Sequence, residues 1–393
     1  MRLDAQWAEG GVHWQQVSDD TQAPVDVAPY QQQLQSLEEG GGPYTDGLAE
    51  PLASLGRHYR SQGDYEQAVA LYRRAMHVVR INDGLNSDRQ IPLLRELLVS
   101  YREAGDLQSL DERYSYFFHL YGNGQPPYSQ LRIGAALEYM RWQREAIRRE
   151  MGGDQRRLIK LIELNEDILE SMQLEVDIPY SWRRDLTYSQ VLNFYLLTQR
   201  FVPAQAEGQL LTSRDYMGSK PAALSLEEQK LEARLRSATA QVARVLDELL
   251  AAASLQGPVE VATIHLALAD WYHWNGSRQR AAGAYEMVVS TLRDAGEDAL
   301  LQEWLGEPVE LPDNGVFWQP ELRADARPVT VAASFDVSAR GKLSQLQTRL
   351  LQEEERSLNR FRRQLASTLF RPRWVNGEAE AVSGLRREYQ LLE

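Results

Sequence analysis

The chain has 393 residues, of which 43% are hydrophobic, 9% aromatic and 25% charged, with a formal net charge of −13. That balance suits a globular protein of two or three domains and excludes a wholly disordered or collagen-like chain. The absence of cysteine excludes disulfides, thiolate zinc sites, iron–sulfur clusters and a cysteine nucleophile, and the acidic balance argues against non-specific nucleic-acid binding.

Residues 1–46 read as an irregular N-terminal arm. Tyr30, Leu34 and Leu37 can make one short helix before Gly40-Gly41-Gly42-Pro43 breaks it. The first twenty residues lack the apolar core of a signal peptide, and apolar runs such as Leu249–Ala253 are too short to span a bilayer. A leader removed before numbering stays open, as does a cytoplasmic location.

From Leu52 to Ala75 the residues Leu52, Leu55, Gly56, Tyr59, Gly63, Tyr65, Ala68, Tyr72 and Ala75 follow a helix–turn–helix pattern. Gly56 and Ala68 are small enough to let two antiparallel helices approach. Leu52, Leu55, Tyr59 and Tyr72 fill the layer between them, and Gly63-Asp64 ends one helix and starts the next. Tyr101, Gly105-Asp106 and Tyr114 repeat Tyr59, Gly63-Asp64 and Tyr72 further along. The stretch between these copies holds the turn signal Asn82-Asp83-Gly84, with Asp88 expected as an N-cap and Pro92 in the first helical turn. Downstream, Ala269, Tyr272, Gly276, Ala281 and Tyr285 match Gly56, Tyr59, Gly63, Ala68 and Tyr72. These units resemble the tetratricopeptide repeat family, which implies an α-solenoid of antiparallel helix pairs over 47–306 with a protein or peptide partner.

Residues 126–255 keep helical periodicity without the repeat signature. Leu158, Ile162, Ile168 and Leu169 form one apolar stripe; Leu231, Leu235, Val242, Val245, Leu246 and Leu249 form another. The second helix opens on Ser225 and Glu228, which can form a capping box. Residues 207–223 read as a loop.

After Glu307 the pattern changes. Pro308, Pro312, Asn314-Gly315 and Pro320 mark a linker over 307–327. Val329, Val331, Ala333, Phe335 and Val337 then alternate with Thr330, Ala332, Ser334 and Asp336 as in a strand. A turn at Arg340-Gly341 leads to a second strand over 343–351. An amphipathic helix over 353–369 carries Leu358, Phe361, Leu365 and Leu369 on one face, and a last strand runs over 381–391. Phe335-Asp336-Val337, Ala339-Arg340-Gly341-Lys342 and the run Phe370-Arg371-Pro372-Arg373-Trp374-Val375-Asn376-Gly377-Glu378 resemble the C-terminal domain of the TonB family. That resemblance implies a small α+β (β-β-α-β) domain over 328–393 and a place in the bacterial envelope. TonB also has a membrane helix and a proline-rich spacer, which this sequence does not show. Energy transduction is therefore not implied.

Catalytic motifs are missing from the sequence. The six histidines include no HExxH and no pair at i, i+4; there is no GxSxG elbow and no phosphate loop. Glu353-Glu354-Glu355 suits a helix start rather than acid–base chemistry. Arg356, Arg360, Arg362, Arg363, Arg371 and Arg373 read as a solvated face more readily than as a nucleic-acid site, since three glutamates precede them.

Partner-binding candidates are polar residues near the first inter-repeat turn (Arg80, Asn82, Gln90), aromatics beyond what one helix face buries (Tyr114, Phe118, Trp271, Trp274), and Arg371 and Arg373. The expectation is a non-enzymatic interaction adaptor or scaffold of the cell envelope, with no cofactor, metal, nucleic acid or transmembrane segment, and with the oligomeric state open. Its rivals are a structural subunit without a peptide ligand and a hydrolase-like site at the domain junction.

Overall fold

A computed structural model describes residues 28–175, 177–201, 225–317, 329–350, 355–375 and 377–391. The expected arm before residue 28, the loop at 207–223 and the linker from 318 to 327 lie outside the described residues. The architecture is mainly α, with helix pairs of tetratricopeptide build and a small C-terminal sheet region, as the sequence predicts. The chain divides into two compact units, one holding residues 28–154 and the other the described residues from 155 onward. The expected division at residue 306 is not where the contacts part.

The first unit contains α1 (Ala28–Gly41), α2 (Ala49–Ser61), α3 (Tyr65–Asp83), α4 (Gln90–Ala104), α5 (Leu107–Leu120) and α6 (Gln130–Arg148). The α2–α3 and α4–α5 turns repeat one device. Gly63 and Gly105 take φ of 77° and 73°, and the following aspartates cap the next helix. Asp64 accepts from the Gln67 amide at 3.2 Å and Asp106 from the Ser109 amide at 3.1 Å. Gly56 permits the close packing that the pattern predicts, because a Cβ there would lie 2.7 Å from Cε1 of the buried Tyr72. The start of α4 differs from expectation. Arg89, not Asp88, holds the N-cap position without a side-chain cap, while Pro92 does sit in the first turn. The preceding turn already ties Ile91 N–H to the Asp88 carbonyl, so a side-chain cap is not needed there.

The second unit begins with α7 (Asp154–Gln173), α8 (Tyr180–Arg200) and α9 (Leu226–Ala253). Ser225 and Glu228 form the expected reciprocal capping box at α9. The outer faces of α7 and α9 are zipped by Arg156–Glu227, Lys230–Glu163 and Arg234–Glu166. Then α10 (Pro258–Trp274) and α11 (Arg278–Asp294) pair around Leu266, Ala269, Ala281 and Tyr285, followed by the short α12 (Asp298–Leu305).

Strands β2 (Val329–Val337), β3 (Leu343–Leu350) and β7 (Val382–Leu391) form an antiparallel sheet in the order β3-β2-β7. Helix α13 (Glu355–Ser367) covers one face through Phe361 and Leu365, which pack with Ala333, Phe335, Val337 and Phe370. Alternation along β2 sets this division: Val331, Ala333, Phe335 and Val337 are buried, whereas Ala332, Ser334 and Asp336 are partly exposed. The expected linker carries structure. Strand β1 (Val309–Glu310) pairs with β4 (Phe370–Arg371), and Leu311 N–H reaches the Leu369 carbonyl at 2.8 Å. The backbone of β4 needs this partner, because an unpaired buried peptide group is costly. A hairpin of β5 (Arg373–Val375) and β6 (Glu378–Glu380) follows.

Candidate protein-interaction site

Of the three polar residues expected near the first inter-repeat turn, Arg80 and Gln90 meet while Asn82 bonds elsewhere, and all three organise the loop itself. Arg80 Nε donates to Gln90 Oε1 at 2.7 Å, and its guanidinium lies 4.8 Å from the Tyr116 ring centre. Tyr116 donates its hydroxyl to the same Gln90 oxygen at 2.8 Å and lies 3.0 Å from the Leu85 carbonyl. Gln90 is fully buried and donates to the Leu85 carbonyl at 2.8 Å. Asn82 ties the end of α3 to the chain before α2 through the Tyr44 carbonyl at 2.9 Å. This frame holds three apolar side chains out in water: Tyr44, Ile81 and Leu85 are 48%, 51% and 71% exposed. Large exposed apolar groups on a fixed loop are a candidate contact surface for a protein partner.

The aromatic candidates on α5 lie inside. Tyr114 is 1% exposed and stacks on Trp142 with ring centres 5.0 Å apart. Phe118 stacks on Tyr139 at 4.3 Å. Both bond successive helices of the unit, since stacked repeats bury a shared core. Beside them Arg102 clasps Glu145 through two hydrogen bonds of 2.8 and 2.9 Å. Burial alone would raise the Glu145 carboxyl, but hydrogen bonds and charge from Arg102 and Arg149 outweigh it and hold the pKa down. Sequence reading missed this pair. The signal was present: the spacing that relates Tyr72 to Tyr114 also relates Arg60 to Arg102 and Glu103 to Glu145, and Arg60 lies 3.8 Å from Glu103.

In the second unit, Trp271 is fully buried against Tyr195, and Trp274 donates to Thr198 Oγ1 at 3.0 Å. Arg371, expected to meet a partner, is instead 1% exposed and inserted between α10 and α12. Its Nε and Nη2 donate to the two Asp270 oxygens at 2.9 and 2.5 Å, and Nη1 donates to the Trp304 carbonyl at 3.0 Å. Asp313 lies 3.5 Å away, and Tyr285 donates to Asp270 at 2.7 Å. Burial opposes the arginine charge, but Asp270 more than compensates and its pKa rises. Arg373 is partly exposed, 3.9 Å from Glu380. The neighbouring Trp374 packs on Tyr285 at 4.9 Å. The pairing of Arg371 with Asp270 has a physical reason legible afterwards: a carboxylate inside the apolar run from His265 to Trp274 requires a buried cation.

His273 joins the same contact. Its Nε2 lies 3.0 Å from the Phe370 carbonyl, and burial depresses its pKa. Gly341 (φ 70°) comes close here too. A Cβ on it would collide with the Phe370 carbonyl oxygen and stand 2.7 Å from His273 Nε2. Among the described residues no group of three or more His, Asp or Glu could hold a metal ion, and no helix is long and apolar enough to cross a membrane.

Residues 52–85 match the tetratricopeptide repeat family model. Among solved structures, nearly identical TPR-like repeats of a putative kinesin light chain from Podosopora anserina are 16% identical, with a TM-score of 0.36, covering 65% of this chain and 98% of that one. A single-residue variant of those repeats gives 16% identity and a TM-score of 0.35, with coverages of 63% and 95%. No curated protein matches. The repeat assignment rests on residues 52–85 and on the packing of α2 against α3.

Proposed function

We propose that the chain is a non-enzymatic interaction scaffold that binds a segment of another protein. The observation that carries this reading is the corner of the first unit. A network of Arg80, the buried Gln90 and Tyr116, with Asn82 on the Tyr44 carbonyl, holds Tyr44, Ile81 and Leu85 in water on a repeat of tetratricopeptide type. Core demand alone does not place three large apolar groups there; a partner that covers them would. An envelope location and kinship with the TonB C-terminal domain belong to the same proposal. Their support is the sheet of β2, β3 and β7 with α13 lying between β3 and β7 in the chain, and the Phe370–Glu378 sequence run.

The test is capture from an extract of the source organism by the full chain, beside an Ile81→Asp/Leu85→Asp variant. A defined protein retained by the wild type and lost by the variant supports the scaffold reading. Equal retention by both overturns the corner as the site.

A further inference from the structure

The face of the β3-β2-β7 sheet opposite α13 holds a second feature. Over the groove itself the central strand offers only short side chains, Ala332 and Ser334; Thr330 and Asp336 share the face beyond them, and Asp336 accepts from the Gly384 amide. The register sets Arg349 of β3 and Glu388 of β7 on either side of Ala332, and Gln347 of β3 and Arg386 of β7 on either side of Ser334. All four flanking side chains are exposed. Flanking strands are two spacings apart, about 9–10 Å. Long side chains on them stand as walls over a low floor, enclosing a groove of about 490 Å³ lined by Ala332, Ser334, Gln347, Arg349, Arg386 and Glu388.

Among the described residues, two cations of this groove lack the carboxylate partners that more buried arginines of the chain have. Arg102, Arg234 and Arg371 each face a carboxylate. The side chains of Arg349 and Arg386 have no ion pair or hydrogen bond among the described residues, although the whole chain carries a net charge of −13. They sit diagonally across the groove, one on each wall, so a chain lying along the floor meets both. Among the described residues this face carries no aromatic side chain on which bases could stack, which disfavours nucleic acid. A strand-like segment with carboxylates on alternate residues matches both arginines at once. Glu388 beside them can accept a hydrogen bond from the segment's backbone.

We infer that the open face of the C-terminal sheet is a second binding surface, one that takes an acidic protein segment in extended conformation. The inference rests on the scaffold reading but uses a separate surface. The probe is a fluorescein-labelled deca-glutamate peptide, titrated into the full chain and followed by anisotropy at low salt. The wild type is expected to bind it in preference to deca-glutamine and to a labelled oligothymidylate. Arg349→Glu and Arg386→Glu should each weaken binding about tenfold. Glu388→Gln should tighten it, and Ala332→Leu, which fills the floor without changing charge, should weaken it. Arg293→Glu, an exposed charge reversal on α11, should leave it unchanged. Binding unaltered by the two arginine variants overturns the inference. So does equal loss with Arg293→Glu, which reduces the effect to net charge, and so does stronger binding of the oligonucleotide. The Ile81→Asp/Leu85→Asp variant should bind the probe normally, so failure at the corner and failure at the sheet are distinguishable.

Discussion

Replacing Arg371 by alanine is the sharpest perturbation of the second unit. The side chain is 1% exposed and Asp270 6%. Removal takes two charged hydrogen bonds from Asp270 and one from the Trp304 carbonyl, and leaves the carboxylate with the Tyr285 hydroxyl. Breaking a buried ion pair from one side costs about 3–5 kcal/mol, because the surviving charge stays desolvated. The assay is peptide-resolved hydrogen exchange on the full chain, which reads the local opening directly. Amides of α10 and of β4 should exchange about two to four orders of magnitude faster in Arg371→Ala, if the contact governs their opening. An Arg371→Met/Asp270→Leu double variant removes the two buried charges, and the Asp313 carboxylate that also loses Arg371 is partly exposed to water, so it should cost less than the single variant, about 1–3 kcal/mol. A cost below about 1 kcal/mol for Arg371→Ala, or a double variant worse than the single one, would refute this reasoning.

Other outcomes follow from single contacts. Gly341→Ala puts a Cβ against the Phe370 carbonyl in left-handed backbone; strain and overpacking together should cost about 2–5 kcal/mol, read by denaturant unfolding. The depressed His273 pKa means that the unfolded chain binds the proton more readily. The stability due to this group is therefore whole above the ordinary value of 6.5 and is lost as pH falls from there through the lowered folded value. His273→Gln, which keeps a donor for the Phe370 carbonyl, should remove that part of the acid dependence. Ser225→Ala should cost about 1 kcal/mol through loss of the capping box, seen as faster exchange in the first turn of α9.

Local chemistry made much of the fold readable. Small residues at Gly56 and Ala68, the Gly-Asp turns at 63–64 and 105–106, and the period-two run of β2 each name their structure, because each satisfies a backbone or packing demand within a few residues. The start of α4 misled, since the turn before it makes a side-chain cap at Asp88 unnecessary. The candidate residues were harder. Tyr114, Phe118, Trp271 and Arg371 were found by type, as large or charged groups in excess of what one helix needs. Whether such a group faces water or a neighbouring helix depends on contacts 30 to 100 residues away, as with Arg371 and Asp270. Arg80, Asn82 and Gln90 were picked out near this loop, but the exposed Tyr44, Ile81 and Leu85 beside them were not singled out. Apolar residues in an amphipathic pattern read as core until the packing is seen.

The scaffold account is tested most directly by a photo-crosslinking residue placed at Leu85 and, separately, at Leu174, which is 88% exposed in the other unit. Irradiation in an extract of the source organism should join one defined protein covalently to the chain at position 85 and not at 174. No adduct at 85, or equal yields at both positions, would contradict the claim that this corner is where a partner binds.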